Sequence, residues 1–490
     1  MPETSSPLSL STMDHENMGQ ESYDMREAKD FASPKSPKIT FNNVNLADFE
    51  DASTLEPLPQ TLTQTTSTEE TFSMRPRSMS HHLSSKDVPS RRWLKIQAKF
   101  WRSLMAFAMY FHDWAPPRSV KPAFKHKIPT DTTPIVLYFY LPPRYHETLN
   151  RDPNFRFPTV INFHGGGFCL GDARDDRYWA RVVLEYTNAI FVSVNYRRAP
   201  EHPFPIPVDD CVESILYISE HAPQLHIDQS NIALSGFSAG ANLAFTVPFR
   251  LAYHRKMEAI DRKSPRPPTS YSMETDSEAN EHEDYCHESN GFVTPVQSTS
   301  NLVRQQTSTP MAIRCIVAWY PLLDWTMSRS RKIRESRNPK KCLPKLFTDL
   351  FDFSYLPPPD IAGDHCSPYA SPGLAHDHMI IDGLPQDIQM WLCEWDMLLR
   401  EGQVFTERLD KLGKRIDSKM IYRVPHAWDK SPNPFRDQRA IDMLYTKSAV
   451  NLNKVFQDKE GLGPGNSMSS LHPTDSIIQR QPRRSIVLPV

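Results

Sequence analysis

A serine on a glycine-flanked turn is the residue in this chain best placed to act as a nucleophile. Ser238 lies between Gly236 and Gly240, directly after the apolar run 231–234 and directly before the helix-like segment 239–251. A sharp strand-to-helix turn projects its central side chain outward and requires small residues on both sides. The pattern therefore predicts that Ser238 is the nucleophile of an acyl-transfer reaction.

A second glycine-rich turn supplies the stabilising groups that such a nucleophile needs. Gly165, Gly166 and Gly167 follow His164 at the end of an apolar run. Consecutive glycines let backbone N–H groups approach a ligand closely, and the N–H groups at a helix N-terminus are unpaired. Acyl transfer requires donors for the negative oxygen of the tetrahedral intermediate. We expect the N–H groups of Gly165, Gly166 and Ala239 to form this oxyanion hole.

The nucleophile also needs a base, and the base needs an acid that orients it. In hydrolases of alternating strands and helices the chain order is Ser, then Asp or Glu, then His. Asp396 follows the apolar run 389–393, and His426 follows the run 419–424. The order predicts a triad of Ser238, Asp396 and His426. The competing acids, Asp382 and Asp387, precede the run 389–393 and do not follow it. The competing histidines lie before this run and so have the wrong order; they are His365, His376 and His378.

These motifs resemble the hormone-sensitive-lipase-like branch of the α/β-hydrolases, a likeness that extends over roughly residues 134–452. The resemblance implies Ser238 as nucleophile, Asp396 as acid and His426 as base, with the same three oxyanion donors. The segments that carry it are the His-Gly-Gly-Gly turn at 164–167, the run YRRAPEHPFP at 196–205, the turn GFSAG at 236–240, SPYA at 367–370 and DMLLREG at 396–402.

Apolar runs that alternate with helical patterns predict an α/β fold. Near-continuous apolar strands are typical of a mostly parallel central sheet that helices cover on both faces, with the active site at the carboxyl ends of the strands. Together with the motifs, this predicts the α/β-hydrolase fold, with an N-terminal cap helix and disordered tails. The strand-like runs are 189–194, 231–235, 313–319, 389–393 and 419–424, and the helical patterns are 208–221, 239–254, 400–412 and 434–453.

Composition separates ordered from disordered parts of the chain. The 490 residues include 44 prolines and only 16 glycines, and 39% of them are hydrophobic. These values are typical of one ordinary domain diluted by disordered segments. The predicted parts are a disordered tail at 1–90, an amphipathic cap helix and linker at 91–130, a hydrolase domain at 131–456 with a disordered insertion at 259–310 and a cap-type segment at 325–360, and a second disordered tail at 457–490.

The segment 91–114 has the pattern of an amphipathic helix, and its apolar face could contact either of two surfaces. Its uninterrupted apolar part is too short to span a bilayer. The helix packs on its own domain, where the family resemblance implies a cap over the active site, or it lies in a lipid interface. Packing on the domain is the favoured interpretation. The apolar residues that recur at helical spacing are Trp93, Ile96, Phe100, Leu104, Phe107 and Phe111.

Net charge and cysteine content indicate which binding partners and which cell compartment to expect. The formal net charge of −2 gives no reason to expect nucleic acid binding. Seven scattered cysteines and an N-terminus without an apolar leader segment predict reduced thiols and a cytoplasmic protein. Contact with membranes or lipid droplets would use the 93–111 helix. The basic cluster at 329–341 is interpreted as a solvated stretch of a cap loop, with contact to anionic lipid and a nuclear address as the alternatives.

The predicted function is a serine carboxylic ester hydrolase that needs no metal or organic cofactor. Aromatic residues near the predicted site favour an apolar substrate, and the family resemblance suggests short to medium acyl esters or lipid esters. Two alternatives stay open. The first is a non-catalytic small-molecule receptor on the same fold, and the presence of His426 argues against it. The second is an amidase or deacetylase with the same triad. The aromatic residues are Phe168, Trp179, Phe237 and Trp428.

Overall fold

The computed structural model describes residues 88–114, 119–263, 311–356, 365–430 and 436–458. Most of the predicted tails and of the predicted insertion therefore lies outside the described residues. The helix after Ser238 continues to Lys263, past the predicted start of the insertion at 259. The other predicted domain boundaries stay predictions.

An eight-stranded sheet forms the centre of the domain, in the order β1-β2-β4-β3-β5-β6-β7-β8. The first two pairings along this order are antiparallel, and all the others are parallel. This confirms the predicted fold class. The strands are β1 Phe124–Ile128, β2 Ile135–Tyr140, β3 Phe157–Phe163, β4 Ile190–Asn195, β5 Ile227–Phe237, β6 Ile313–Trp319, β7 Asp387–Cys393 and β8 Arg415–Ile421.

Helices cover both faces of the sheet. Neighbouring residues of one strand, such as Val160 and Ile161, belong to two separate buried clusters, because successive side chains point to opposite faces. Both faces are therefore apolar, which explains the continuous apolar runs in the sequence. The helices are α1 Arg91–Trp114, α2 Tyr145–Arg151, α3 Arg177–Thr187, α4 Ile206–Glu220, α5 Ala239–Lys263, α6 Arg329–Glu335, α7 Lys345–Tyr355, α8 Asp377–Gly383, α9 Leu399–Lys411 and α10 Gln438–Gln457.

The last strand ends earlier than the sequence predicts. The apolar run extends to residue 424, but β8 ends at Ile421 because Arg423 has a positive φ of 59°, which no extended strand allows. His426 is therefore carried by a longer loop. In the described part of the chain, no helix is long and apolar enough to cross a membrane.

The face of α1 that contacts the domain is not the predicted one. Trp101 packs on Phe347 of α7 with ring centroids 4.8 Å apart, and Leu94 and Ala98 are buried. The helix thus packs on its own domain, as in the favoured interpretation, but α1 has two apolar stripes and the inner one, not the predicted one, makes the contact. The predicted stripe is 44–64% exposed at Trp93, Ile96, Phe100, Leu104 and Phe107, and the side chain of Phe111 lies outside the described residues.

Two arginines hold α1 against the body of the domain. The guanidinium of Arg91 donates to the backbone carbonyls of Ser354 and Pro200 at 3.0 and 2.8 Å. Arg102 donates to the carbonyls of Cys169 and Ala199, both at 2.7 Å. These bonds and the inner apolar stripe fix the orientation of α1.

The basic cluster at 329–341 is not the uniformly solvated stretch that the sequence suggests. Lys332 is buried and forms an ion pair with the buried Glu401 of α9. Arg329 pairs with Asp352 of α7 at 2.8 Å. Two of the bases thus connect α6 to its neighbours, because buried charges require partners.

Candidate active site

The nucleophile turn is as tight as the two glycines predict. Ser238 has a positive φ of 55° at the junction of β5 and α5, and its N–H donates to the carbonyl of Trp319 at 2.9 Å. A Cβ atom at Gly240 would collide with the carbonyl of Phe163, and one at Gly236 would collide with the backbone of Gly240. The turn therefore tolerates only glycine at both positions, and it holds Ser238 in a strained conformation.

The structure brings the three predicted triad residues together. Nε2 of His426 lies 2.8 Å from Oγ of Ser238, and Nδ1 of His426 lies 2.6 Å from Oδ2 of Asp396. Asp396 is buried, and its other oxygen accepts the N–H of Leu398 at 3.0 Å. A carboxylate held this way fixes the imidazole with its unprotonated nitrogen toward the serine hydroxyl.

A buried acid that the sequence analysis missed anchors the loop of His426. Asp429 accepts hydrogen bonds from the hydroxyls of Tyr320, at 2.7 Å, and Tyr445. The ring of Tyr320 also packs edge-on against the imidazole of His426, with centroids 4.9 Å apart. The only sequence signal was an acid three residues after the histidine.

Lys430 connects the same loop to the nucleophile turn. Its Nζ donates to Oδ1 of Asp176 at 2.6 Å and lies 3.1 Å from the centroid of the Phe237 ring. The other oxygen of Asp176 accepts the amide of Asn162 at 2.8 Å. A cation above an aromatic face is attracted by the ring quadrupole, so Lys430 binds the residue directly before Ser238.

The predicted oxyanion turn faces the same space as Ser238. Gly166 and Gly167 have positive φ values of 105° and 59°, which glycine adopts without strain. Within the described chain, the N–H groups of Gly165, Gly166 and Ala239 donate to no backbone carbonyl. All three residues line the cavity beside Ser238 and His426. Unpaired N–H groups in such a position can bind a developing oxyanion.

His164 lies in the core behind this turn and does not line the cavity. Its ring stacks on Tyr196 with centroids 4.1 Å apart, and its Nδ1 lies 2.8 Å from the carbonyl oxygen of Gly165. Burial, with a smaller contribution from Arg198, lowers the pKa of His164 to about 4. His164 is therefore neutral at physiological pH, and it supports the turn.

A cavity of about 410 Å³ opens above Ser238. Residues of α1 and α7 form its apolar wall, among them Met105, Met109, Phe347 and Phe351. Burial, followed by repulsion from neighbouring acids, raises the pKa of Asp175 on another wall to about 7. The cavity is thus mostly apolar, and the charged side chains among its lining residues are Asp175, Asp176, Arg329 and Lys430.

Only two of the four predicted aromatic residues line this cavity, namely Phe168 and Phe237. Trp179 is buried in the core, where its Nε1 donates to Oγ of Ser235 at 2.8 Å. Trp428 belongs to the same core cluster. No group of three metal-ligating side chains occurs among the described residues.

Comparison with known proteins identifies relatives of this chain. The model of the alpha/beta hydrolase fold matches residues 160–305 and 296–430, which together cover more than half of the chain. Lipase 2 of Moraxella sp. is 27% identical over 278 residues, 55% of this chain and 54% of that protein. Carboxylesterase NlhH of Mycobacterium tuberculosis is 38% identical over 112 residues, 23% of this chain and 33% of that protein.

These matches thus span between a third and just over half of the length of the relatives. The solved structure of an esterase from Pyrobaculum calidifontis superposes with a TM-score of 0.51 and 23% identity, covering 74% of this chain and 96% of that one. This structural likeness shows the fold. With the family match and the geometry of the site, it follows that the chain belongs to the hormone-sensitive-lipase-like branch of the α/β-hydrolase fold family.

Proposed function

We propose that this protein is a serine carboxylic ester hydrolase that acts on small apolar esters. The observation that carries the proposal is the hydrogen-bonded chain from Asp396 through His426 to Oγ of Ser238, beside a largely apolar cavity. Relatives that are named lipase and carboxylesterase support this reaction class.

In the acylation step, Oγ of Ser238 attacks the acyl carbonyl carbon while Nε2 of His426 takes the hydroxyl proton. The carbonyl π electrons move to oxygen, and the N–H groups of Gly165, Gly166 and Ala239 bind that oxyanion. Asp396 accepts Nδ1–H and stabilises the imidazolium. When the tetrahedral intermediate collapses, the bond to the alcohol oxygen breaks, and His426 gives its proton to the leaving alcohol.

Deacylation repeats these steps with water as nucleophile. His426 takes one proton from water, the hydroxide oxygen bonds to the acyl carbon, and the same donors bind the second oxyanion. Cleavage of the bond to Oγ returns the proton to Ser238 and releases the carboxylic acid. Every proton transfer uses the one nitrogen that lies 2.8 Å from the serine.

The size of the cavity is an argument for a substrate with a short to medium acyl chain. Its volume of about 410 Å³ lies near the lower end of the range of about 300–1,000 Å³ for small-molecule sites. Methionine and phenylalanine side chains of the cap form one wall, and flexible methionines adapt to differently shaped apolar groups. A charged acyl group placed against this apolar wall would lose its hydration there.

The test is a series of p-nitrophenyl esters of increasing acyl length, assayed with the full chain and with Ser238→Ala and His426→Ala. We expect an optimum at short to medium length and a loss of at least about 10³-fold in kcat for each variant. Matched controls are Ser219→Ala, a partly buried serine of α4, and His146→Ala, an exposed histidine of α2. Both should retain wild-type activity.

The same series separates the alternatives. A p-nitroanilide of the best acyl group reports amide hydrolysis, and faster turnover of the amide than of the ester would favour an amidase. Full activity in His426→Ala would contradict the assigned base. A wild-type protein that hydrolyses no ester but binds one would be a receptor.

A further inference from the structure

Helix α1 presents an apolar ridge to solvent. The ridge consists of Trp93, Ile96, Phe100 and Leu104, all of them exposed. Their spacing of three, four and four residues places them on one side of the helix. Large apolar side chains that lie together on a surface mark an interaction site. The ridge is therefore a candidate for contact with a partner.

The orientation of the ridge is fixed. The opposite side of α1 is buried at Leu94 and Ala98 and is held by Arg91 and Arg102 through bonds to backbone carbonyls. The helix cannot turn the ridge inward without breaking these contacts. The ridge consequently faces away from the domain in the folded protein.

Positive charge borders the ridge. Arg92 and Lys99 are exposed on the flank of α1 next to Ile96 and Phe100, and Lys95 is exposed farther round the helix, near Glu201. The helix carries five Lys and Arg residues and one acid, Asp113. Exposed bases also occur at Arg334, Lys340 and Lys341, in the cap segment that leads into α7. A helix with an apolar face bordered by Lys and Arg binds the surface of anionic lipids. A second copy of the chain would bring these like charges together, which is unfavourable.

The ridge belongs to the same helix as the roof of the cavity. Met105 and Met109 of α1 line the cavity above Ser238. We propose that the ridge docks on the surface of an anionic lipid bilayer and so places the cavity beside small apolar esters that are dissolved in that membrane. The docking is independent of catalysis, whereas the delivery of esters rests on the proposed hydrolase function.

The first experiment measures co-sedimentation of the full chain with vesicles of phosphatidylcholine alone or with about one-third phosphatidylserine. We expect binding to the anionic vesicles that weakens as salt is added. The variant Ile96→Ser with Phe100→Ser should bind about 10-fold more weakly or worse, because it loses two apolar anchors. The matched control is Ile381→Ser with Met443→Ser, which removes two exposed apolar residues on α8 and α10.

A second variant tests the charge. Lys95→Gln with Lys99→Gln should lose most of its preference for phosphatidylserine, since each base near the surface contributes to anionic lipid binding. Hydrolysis of a soluble p-nitrophenyl ester should stay within about twofold of wild type in all these variants, because the ridge residues do not line the cavity. This readout also shows that the variants fold.

Three results would overturn the docking proposal. They are no binding of the wild type to anionic vesicles, undiminished binding of the ridge variant, and a ridge-dependent dimer in light scattering. Ser238→Ala distinguishes the two proposals, because it should bind vesicles like the wild type. Vesicle binding by a protein that is inactive on every ester would leave the docking intact and refute the hydrolase.

Discussion

Removal of the Asp429 carboxylate should impair catalysis through the position of His426. The carboxylate accepts hydrogen bonds from two tyrosine hydroxyls, those of Tyr320 directly after β6 and of Tyr445 on α10. A hydrogen bond to a charged partner contributes about 1.5–3 kcal/mol. Asp429→Ala should therefore lower the free energy of unfolding by at least about 3 kcal/mol.

The effect on turnover follows from geometry. His426 lies three residues before Asp429 in the same loop, and its Nε2 must stay near 2.8 Å from Oγ of Ser238. A displacement of about 1 Å in a catalytic group can cost about 100-fold in rate. We expect kcat of Asp429→Ala to fall by about 100-fold with little change in KM, since Asp429 does not line the cavity. Asp429→Asn keeps one acceptor and should recover about a tenth of the lost rate or more.

The assay is steady-state hydrolysis of the best p-nitrophenyl ester, together with urea unfolding of each variant. The matched control is Asp442→Ala on α10, whose exposed carboxylate accepts the hydroxyl of Tyr178 and the amide of Gln438; among the described residues these partners lie outside the His426 loop. This control should keep kcat within about twofold. A destabilised Asp429→Ala that retains full kcat would refute the idea that the two tyrosine bonds position His426.

Three further predictions follow from the cavity, the nucleophile turn and the cap. Burial raises the pKa of Asp175 to about 7, so this group is neutral below and charged above that pH; KM for an uncharged ester should rise above pH 7, and the rise should disappear in Asp175→Asn. Gly240→Ala brings a Cβ atom into the carbonyl of Phe163; urea unfolding should show a loss of about 3 kcal/mol or more, and an unchanged midpoint would contradict the close contact. Arg102→Gln removes two bonds from α1 to backbone carbonyls; KM should increase severalfold at nearly constant kcat, and an unchanged KM would show that the cap does not need this anchor.

The nucleophile turn could be predicted from the sequence because its chemistry and its shape depend on adjacent residues. Gly236 and Gly240 are required by contacts within a few residues of Ser238 and by one neighbouring strand. The positions of Asp396 and His426 followed from a second local rule, namely that each lies in a loop after a strand of a parallel sheet. Local patterns thus identified residues that the fold brings within hydrogen-bonding distance.

Other features depend on contacts between distant segments and had no local signature. Asp429 binds Tyr320, directly after β6, and Tyr445 of α10, so neither bond leaves a pattern in the sequence around His426. For α1 the periodicity showed an apolar stripe but not which of two stripes the domain would cover. That choice depends on the shape of α7, where Phe347 meets Trp101.

The way α1 is attached separates the evolution of substrate choice from that of stability. Helix α1 lies outside the central sheet and is held by two arginines and one apolar stripe. Two of its methionines nevertheless line the cavity. If the proposed function holds, substitutions at Met105 or Met109 would change which esters fit, while the eight-stranded sheet and the proposed triad keep their contacts. The side of the cavity that α1 forms can thus vary without changing the contacts of Ser238 and His426.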